Sequence, residues 1–192
     1  MKNRDELINY LITKIDAQSY LEIGIADGSN HIKIKCKHKI GVDPNSTVSQ
    51  VTYRMTSDRF FSQNKNMFDV IFVDGLHVYE QVYKDIINSL KFLNKNGYII
   101  CHDMNPPTEK HQAVPRLQRQ WTGDCWKAWA QIRTERNDLT MHVVDMDWGC
   151  GVIKFGDQQH LLIEINKLNY EFLENNRKSV LNLISTEDFL NL

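Results

Sequence analysis

The chain has 192 residues and a formal net charge of -1, with a pI of about 6.6. A charge this close to zero gives no positive field that would collect nucleic acid or an anionic membrane, so both partners are disfavoured. No apolar run approaches the ~20 residues that cross a bilayer, and residues 1–15 mix charged and apolar positions, unlike a signal peptide. We therefore expect a cytoplasmic protein without membrane insertion, of a size suited to one compact domain.

Helical and strand patterns alternate along the chain. Helices are predicted over Arg4–Ile15, Val78–Leu93 and Cys125–Arg136, where apolar residues recur at helical spacing. Strands are predicted at Ser19–Ile23, Lys39–Asp43, Val51–Met55, Phe68–Asp74 and Tyr98–Cys101, and a hairpin at Thr140–Asp145 and Gly149–Phe155. This order favours an α/β fold: a doubly wound, mostly parallel seven-stranded sheet with a C-terminal antiparallel hairpin. Residues 1–156 would form the domain, and residues 157–192 a helical extension of it.

A glycine turn follows the first predicted strand. Gly24 and Gly28 allow backbone N–H groups to approach a ligand that a side chain would exclude. Asp43 ends the next strand, and its carboxylate offers two acceptor oxygens to the hydroxyls of a ribose. The stretch from Ser19 to Asp43 therefore predicts a site for a nucleoside-containing cofactor.

Acids end two further strands. Asp74 follows the apolar run from Phe68, and His102 and Asp103 follow the strand that ends at Cys101. Because ligands of open α/β sheets bind at the carboxyl ends of strands, these residues are candidates for a divalent cation site or for acid–base chemistry. In the alternative interpretation, Asp74 contacts the cofactor or caps a helix, and His102 and Asp103 form a structural turn.

A loop of about twenty residues, Met104–Gly123, is long enough to predict an active-site lid. Four polar or aromatic residues of this loop and of the helix after it are candidate substrate contacts: Glu109, Arg116, Trp121 and Lys127. In the alternative interpretation the loop is a surface segment whose tryptophans cover the sheet.

The combined pattern resembles the class I S-adenosylmethionine-dependent methyltransferases. The resemblance is carried by Asp74-Gly-Leu-His-Val-Tyr-Glu80 and by His102-Asp103, which match the forms DG-x-H-x-Y-E and HD of a small sugar- and metabolite-modifying branch. It covers Tyr20 to about Phe155. A dinucleotide dehydrogenase would more typically carry G-x-G-x-x-G, which is absent here.

The resemblance implies S-adenosyl-L-methionine as cofactor. Glu22 would lie near its methionine end, Gly24 and Gly28 beneath it, Asp43 at the ribose and Ser57 near the adenine. Ala26 stands where many relatives have a third glycine, while Asp74 and His77 are further cofactor contacts, His77 as a secondary candidate.

The resemblance also strengthens the case for Mg²⁺ or Mn²⁺ held by Asp74, His102 and Asp103. His102 departs from a third oxygen ligand, so it stays open whether His102 is a ligand or the general base. His102 and Asp103 are the predicted catalytic residues.

The predicted function is O-methylation of a small-molecule hydroxyl, such as that of a sugar, a glycan precursor or a secondary metabolite. The alternatives are a metal-dependent hydroxylase-like or other non-methylating enzyme on the same fold, and a cofactor-binding protein without turnover. Assembly into a homo-oligomer stays open.

Overall fold

Seven strands form one sheet in a computed structural model that describes residues 1–192. In chain order they are β1 (Ser19–Ile23), β2 (His38–Val42), β3 (Phe68–Val73), β4 (Leu93–Cys101), β5 (Leu139–Val144), β6 (Cys150–Phe155) and β7 (Leu183–Ile184). Their order across the sheet is β2-β1-β3-β4-β6-β5-β7, and β6 runs antiparallel to both of its neighbours. The predicted α/β fold, with a mostly parallel sheet and a C-terminal antiparallel hairpin, is confirmed.

Helices cover both faces of this sheet. They are α1 (Arg4–Lys14), α2 (Ser29–Lys33), α3 (Ser57–Gln63), α4 (Tyr79–Lys91), α5 (Glu109–Gln112), α6 (Cys125–Glu135), α7 (Tyr170–Leu181) and α8 (Thr186–Leu190). The three helices predicted from apolar periodicity appear as α1, α4 and α6, with ends within two residues of the prediction. None of the helices combines the length and the apolar character needed to pass through a bilayer.

The central strands are apolar on both sides because each side meets a helical layer. Along β3, Ile71 and Val73 pack into a core shared with α4 and α6, whereas Val70 and Phe72 pack into a core shared with α1. This alternation follows from the pleat, which points successive side chains to opposite faces. Polar residues are therefore expected only near the ends of the strand: Asp69 lies near its start, and Asp74 follows its last residue.

The prediction of a strand at Val51–Met55 is wrong. The segment makes one isolated bridge, between Val42 and Tyr53, and the N–H groups of Thr52 and Tyr53 both donate to the carbonyl of Gly41. Two donors on one acceptor make an irregular turn beside β2, because a ladder would distribute the bonds along the strand.

The seventh strand is instead β7, which pairs in parallel with β5 through two residues. It belongs to the segment 157–192, which was expected to be helical. That segment adds α7 and α8 but also extends the sheet.

Candidate functional site

A cavity of about 1150 Å³ opens where the carboxyl ends of β1, β3 and β4 meet. Ten of the residues predicted from the sequence line it: Glu22, Gly24, Ala26, Asp43, Ser57, Asp74, His77, His102, Asp103 and Trp121. Four do not: Gly28, Glu109, Arg116 and Lys127. The structure therefore brings together the predicted cofactor and metal residues except Gly28, but only one of the predicted substrate contacts.

The glycine turn after β1 approaches the end of β3 very closely. Gly24 has φ +88°, and a Cβ atom added to it would lie 2.1 Å from the carbonyl oxygen of Asp74. Gly28 has φ +77° and precedes α2, and Ala26 between them also has a positive φ of 50°. A side chain at position 24 would thus meet both backbone strain and a steric clash.

Asp43 ties the glycine turn to the loop after β2. One carboxylate oxygen accepts the N–H of Ala26 at 2.9 Å, and the other accepts the N–H groups of Asn45 and Ser46 at 2.8 Å each. A carboxylate has about four acceptor positions. Asp43 therefore already supports the loop and retains room for one further hydroxyl.

Glu22 lies at the base of the cavity and is 1% exposed. Its two oxygens accept from the Tyr20 hydroxyl at 2.9 Å and the Asn30 amide at 3.1 Å, and one lies 2.9 Å from Nδ1 of His31. Burial, followed by the charge of Glu22, raises the pKa of Tyr20 well above its usual value. Glu22 is thus a buried acid held by three neighbours.

A second polar network lies at the other end of the cavity, near Ser57. The side-chain amide nitrogen of Gln81 is within hydrogen-bond distance of Ser57, Asp58 and Asp85. Asp85 itself is 1% exposed. Burial raises the pKa of Asp85 to about 6, although its hydrogen bonds with Ser57 and Gln81 oppose the shift.

This raised pKa predicts a pH-dependent cost to folding. Between the ordinary carboxyl pKa of 3.8 and about 6, the folded protein holds a proton that the unfolded chain has released, so stability falls as the pH rises through that window. The unfolding free energy of Asp85→Asn relative to wild type should therefore increase by about 1 kcal/mol as the pH is raised from 5 to 8. Urea denaturation at each pH measures this difference. Asp58→Asn removes a nearby charge that contributes to the raised pKa of Asp85, so it should reduce the pH dependence without abolishing it; equal slopes for wild type and Asp85→Asn would contradict the assignment.

Two aspartates and two histidines meet at the ends of β3 and β4. We call Asp74, His77, His102 and Asp103 the acid–histidine cluster. Nε2 and Nδ1 of His77 lie 3.2 Å from Asp74 and 2.9 Å from Asp103, and Nδ1 of His102 lies 3.4 Å and 3.1 Å from the same two carboxylates. The carboxylates and imidazoles thus alternate around the cluster.

The cluster is strongly coupled electrostatically. Burial lowers the pKa of both histidines, but the adjacent Asp103 and Asp74 outweigh it: the pKa of His77 rises to about 10 and that of His102 lies well above its usual value. Burial raises the pKa of Asp74, and here His102 and His77 outweigh it, so that pKa lies well below its usual range. The two carboxylates thus favour the protonated form of both imidazoles.

The two histidines differ in access to the cavity. The side chain of His77 is 22% exposed, whereas that of His102 is 3% exposed. Both ring nitrogens of His102 are buried without a hydrogen bond of acceptable geometry, although carboxylates lie nearby. His102 thus has unsatisfied ligand atoms inside the protein, and His77 faces the space where a substrate would lie.

Two further residues of the site were missed by the sequence analysis. Arg4, from the first turn of α1, contacts Asp74 at 2.7 Å and Asp147, in the β5–β6 turn, at 2.9 Å. Asp147 could have been found, because β5 runs parallel to β4 and its carboxyl end reaches the same sheet edge. No sequence feature predicts a functional role for Arg4, because it is the first residue of an ordinary amphipathic helix.

The lid places one predicted substrate residue beside the cluster. Trp121 stacks on His77 with ring centroids 5.5 Å apart and an angle of 18° between the rings. The guanidinium of Arg116 lies 5.7 Å from the Trp121 ring, outside the cavity, while Lys127 pairs with Asp124 at 3.1 Å. Glu109 is exposed on α5. Of the four predicted substrate contacts, Trp121 alone therefore reaches the space next to the cluster.

Sequence comparison finds a family match over the part of the chain that builds this site. A family model described as "Methyltransferase domain" matches residues 18–104, from the start of β1 to just after β4. The uncharacterized protein R132 of Acanthamoeba polyphaga mimivirus is 25% identical over an alignment that covers 54% of this chain and 59% of that protein. The chain thus spans less than two thirds of the length of this relative.

Solved methyltransferase structures share the fold. The O-methyltransferase TomG from Streptomyces achromogenes, solved with S-adenosylmethionine, is 13% identical, with 79% of each chain covered and a TM-score of 0.60. The N-methyltransferase NodS from Bradyrhizobium japonicum is 17% identical, with 81% of this chain and 95% of that chain covered and a TM-score of 0.52. Identities this low show a common fold and leave the acceptor open. The chain thus matches a methyltransferase domain over residues 18–104 and has the fold of the solved methyltransferases.

Proposed function

We propose that the chain transfers the methyl group of S-adenosylmethionine to a hydroxyl of a small molecule, such as a sugar, a glycan precursor or another secondary metabolite. The observation that carries the proposal is the acid–histidine cluster, which lies in the same cavity as the glycine turn. A hydroxyl is a poor nucleophile at neutral pH and needs a base or a cation, whereas a neutral amine needs neither. A cluster able to supply both favours oxygen over nitrogen as the methyl acceptor.

The cofactor would occupy the β1 side of the cavity. Gly24 allows the methionine portion to lie against the backbone, Glu22 lies beneath it, and the remaining acceptor position of Asp43 suits a ribose hydroxyl. Ser57, buried beside Gln81, would face the adenine. A cytoplasmic location belongs to the same proposal.

A divalent cation fits three residues of the cluster. Donor atoms of Asp74, His102 and Asp103 lie within 4.8 Å of one another, and the ring nitrogens of His102 are buried without a hydrogen bond of acceptable geometry. Two carboxylates and one imidazole suit Mn²⁺ as well as Mg²⁺, because imidazole is a softer ligand than oxygen. When bound there, the cation would supply a Lewis acid for the hydroxyl and would neutralise the carboxylates that keep His77 protonated.

His77 is then the better placed proton acceptor. It is the more exposed of the two histidines, and a cation that drew Asp74 and Asp103 away from its two ring nitrogens would leave one of these nitrogens free to accept a proton. The acceptor oxygen would form a bond to the methyl carbon as the bond from carbon to sulfur breaks, and His77 would take the hydroxyl proton. The products are a methyl ether and S-adenosylhomocysteine. His102, which was a candidate for this role, is assigned to the cation.

A transfer assay with labelled cofactor tests the proposal. Purified protein is incubated with S-adenosylmethionine carrying a tritiated methyl group and with 3,4-dihydroxybenzoate, methyl glucoside or benzylamine. We expect label in a hydroxyl acceptor in the presence of Mn²⁺ or Mg²⁺, and a loss of about a hundredfold or more with a chelator.

The other results of the assay discriminate between the alternatives. Label in benzylamine alone would contradict oxygen as the acceptor atom. Full transfer in the presence of the chelator would remove the cation from the proposal. Tight binding of S-adenosylhomocysteine without transfer to any acceptor would favour a cofactor-binding protein without turnover.

A further inference from the structure

The first turn of α1 reaches across the reaction site. Asn3, Arg4 and Asp5 line the cavity together with the acid–histidine cluster. Arg4 is only part-buried, yet it makes four hydrogen bonds, and all of them go to carboxylates of the cavity. An arginine on a solvated helix surface would not direct all of its hydrogen bonds to carboxylates of one cavity.

The contacts of Arg4 join two separate elements. Nη1 donates to Oδ2 of Asp74 at 2.7 Å, while Nε and the backbone N–H both donate to Oδ2 of Asp147 at 2.9 Å. Nη2 donates to the second oxygen of Asp147 at 3.2 Å. A planar guanidinium in such a two-carboxylate contact fixes orientation as well as distance.

The orientation matters because each carboxylate also faces a histidine. With Oδ2 of Asp74 held by Arg4, Oδ1 faces His77 at 3.2 Å and His102 at 3.4 Å. Oδ1 of Asp147 lies 3.5 Å from Nε2 of His102. Arg4 thus determines which oxygen of Asp74 is presented to the cluster.

Anchoring of α1 does not require these contacts. The helix buries Leu7, Ile8 and Leu11 completely in the core below the sheet. Burial of three such side chains stabilises the docked helix far more than a part-exposed ion pair does. Docking of α1 therefore does not explain why the side chain of Arg4 contacts the carboxylates of the cavity.

We propose that Arg4 is a positioning residue of the methyl-transfer site: it holds the carboxylates of Asp74 and Asp147 so that Oδ1 of Asp74 faces His77 and His102 and Oδ1 of Asp147 faces His102. The proposal rests on the proposed function. Arg4 does not touch the reacting atoms in this scheme, and it acts through Asp74.

The test compares Arg4→Gln, Arg4→Lys and Lys2→Gln. Lys2 is an exposed cation two residues away, so Lys2→Gln controls for loss of one positive charge near α1. The first readout is the ring ¹⁵N resonances of His77 and His102 in protein saturated with S-adenosylhomocysteine at fixed pH. The second is the transfer rate with an acceptor that the wild type methylates, together with guanidinium rescue of Arg4→Gly.

We expect Arg4→Gln to move the resonances of both histidines and to lower kcat about tenfold to a hundredfold, with KM for the cofactor within about threefold of wild type. Arg4→Lys should lie between wild type and Arg4→Gln, since lysine keeps the charge but loses the planar two-carboxylate contact. Lys2→Gln should match wild type, and added guanidinium should restore part of the rate of Arg4→Gly.

Unchanged histidine resonances in Arg4→Gln, or an unchanged kcat, would overturn the proposal. A lower melting temperature with wild-type kcat in the cold would mark Arg4 as structural only. If the wild type transferred no methyl group, the proposed function would fail, and the resonances alone would still decide whether Arg4 holds the cluster.

Discussion

Asp103→Asn should lower methyl transfer about a hundredfold or more while leaving the affinity for S-adenosylhomocysteine within about threefold. Asp103 is 4% exposed and lies 2.9 Å from His77 and 3.1 Å from His102. Asparagine has nearly the same shape and tolerates the left-handed conformation of this residue, whose φ is +64°. The change therefore removes one negative charge and leaves the backbone in place.

The measurements are initial rates of transfer with saturating cofactor and calorimetric titration with S-adenosylhomocysteine. Asp145→Asn is the matched control, because Asp145 is an exposed acid near the same sheet edge and lies outside the main cavity. A wild-type rate for Asp103→Asn would contradict the assigned role. Loss of cofactor binding in this variant would instead indicate a role in forming the cavity.

Gly24→Ala should abolish measurable cofactor binding and destabilise the fold by about 2 to 4 kcal/mol. The added Cβ would lie 2.1 Å from the carbonyl oxygen of Asp74, a backbone atom at the end of β3 that cannot rotate away. The glycine turn would have to move off β3, which displaces the surface on which the methionine portion is proposed to lie. Titration with S-adenosylhomocysteine and urea denaturation measure the two effects.

Gly28→Ala provides the comparison for the positive φ alone. A Cβ at Gly28 would meet only the side chains of Gln50 and Val48, at 3.1 and 3.2 Å, and these can shift. Its cost should stay near 1 kcal/mol, with binding weakened less than in Gly24→Ala. Equal cofactor affinity in Gly24→Ala and wild type, or a larger loss in Gly28→Ala, would show that close approach at position 24 is unimportant.

The sheet and its acidic edge were predictable because buried parallel strands appear in the sequence as short apolar runs. The apolar run Val70–Val73 of β3 ends abruptly in Asp74, and the apolar run Tyr98–Cys101 at the end of β4 is followed by His102 and Asp103. The seventh strand was not predictable, since β7 has two residues and pairs only because α7 delivers it beside β5. Residues 51–55 have strand-like composition, but only their irregular contacts with Gly41 and Val42 reveal that they form no ladder.

The candidate site was predictable as far as it follows strand ends. Its remaining residues depend on tertiary contacts between distant segments: Arg4 precedes Asp74 by 70 positions and Asp147 by 143. In the loop Met104–Gly123, residue type predicted contacts that the structure does not show. Its polar residues Glu109 and Arg116 lie outside the cavity, while Trp121 packs on His77. Residue type alone did not distinguish these positions.

Calorimetric titration of the purified protein with S-adenosylhomocysteine, with NAD as the comparison ligand, tests the central claim most directly. If the chain acts as the proposed methyltransferase, it should bind one S-adenosylhomocysteine per chain with a Kd on the order of 10 µM and give no signal with NAD. Absence of binding to S-adenosylhomocysteine, or binding of NAD with equal affinity, would contradict the assignment.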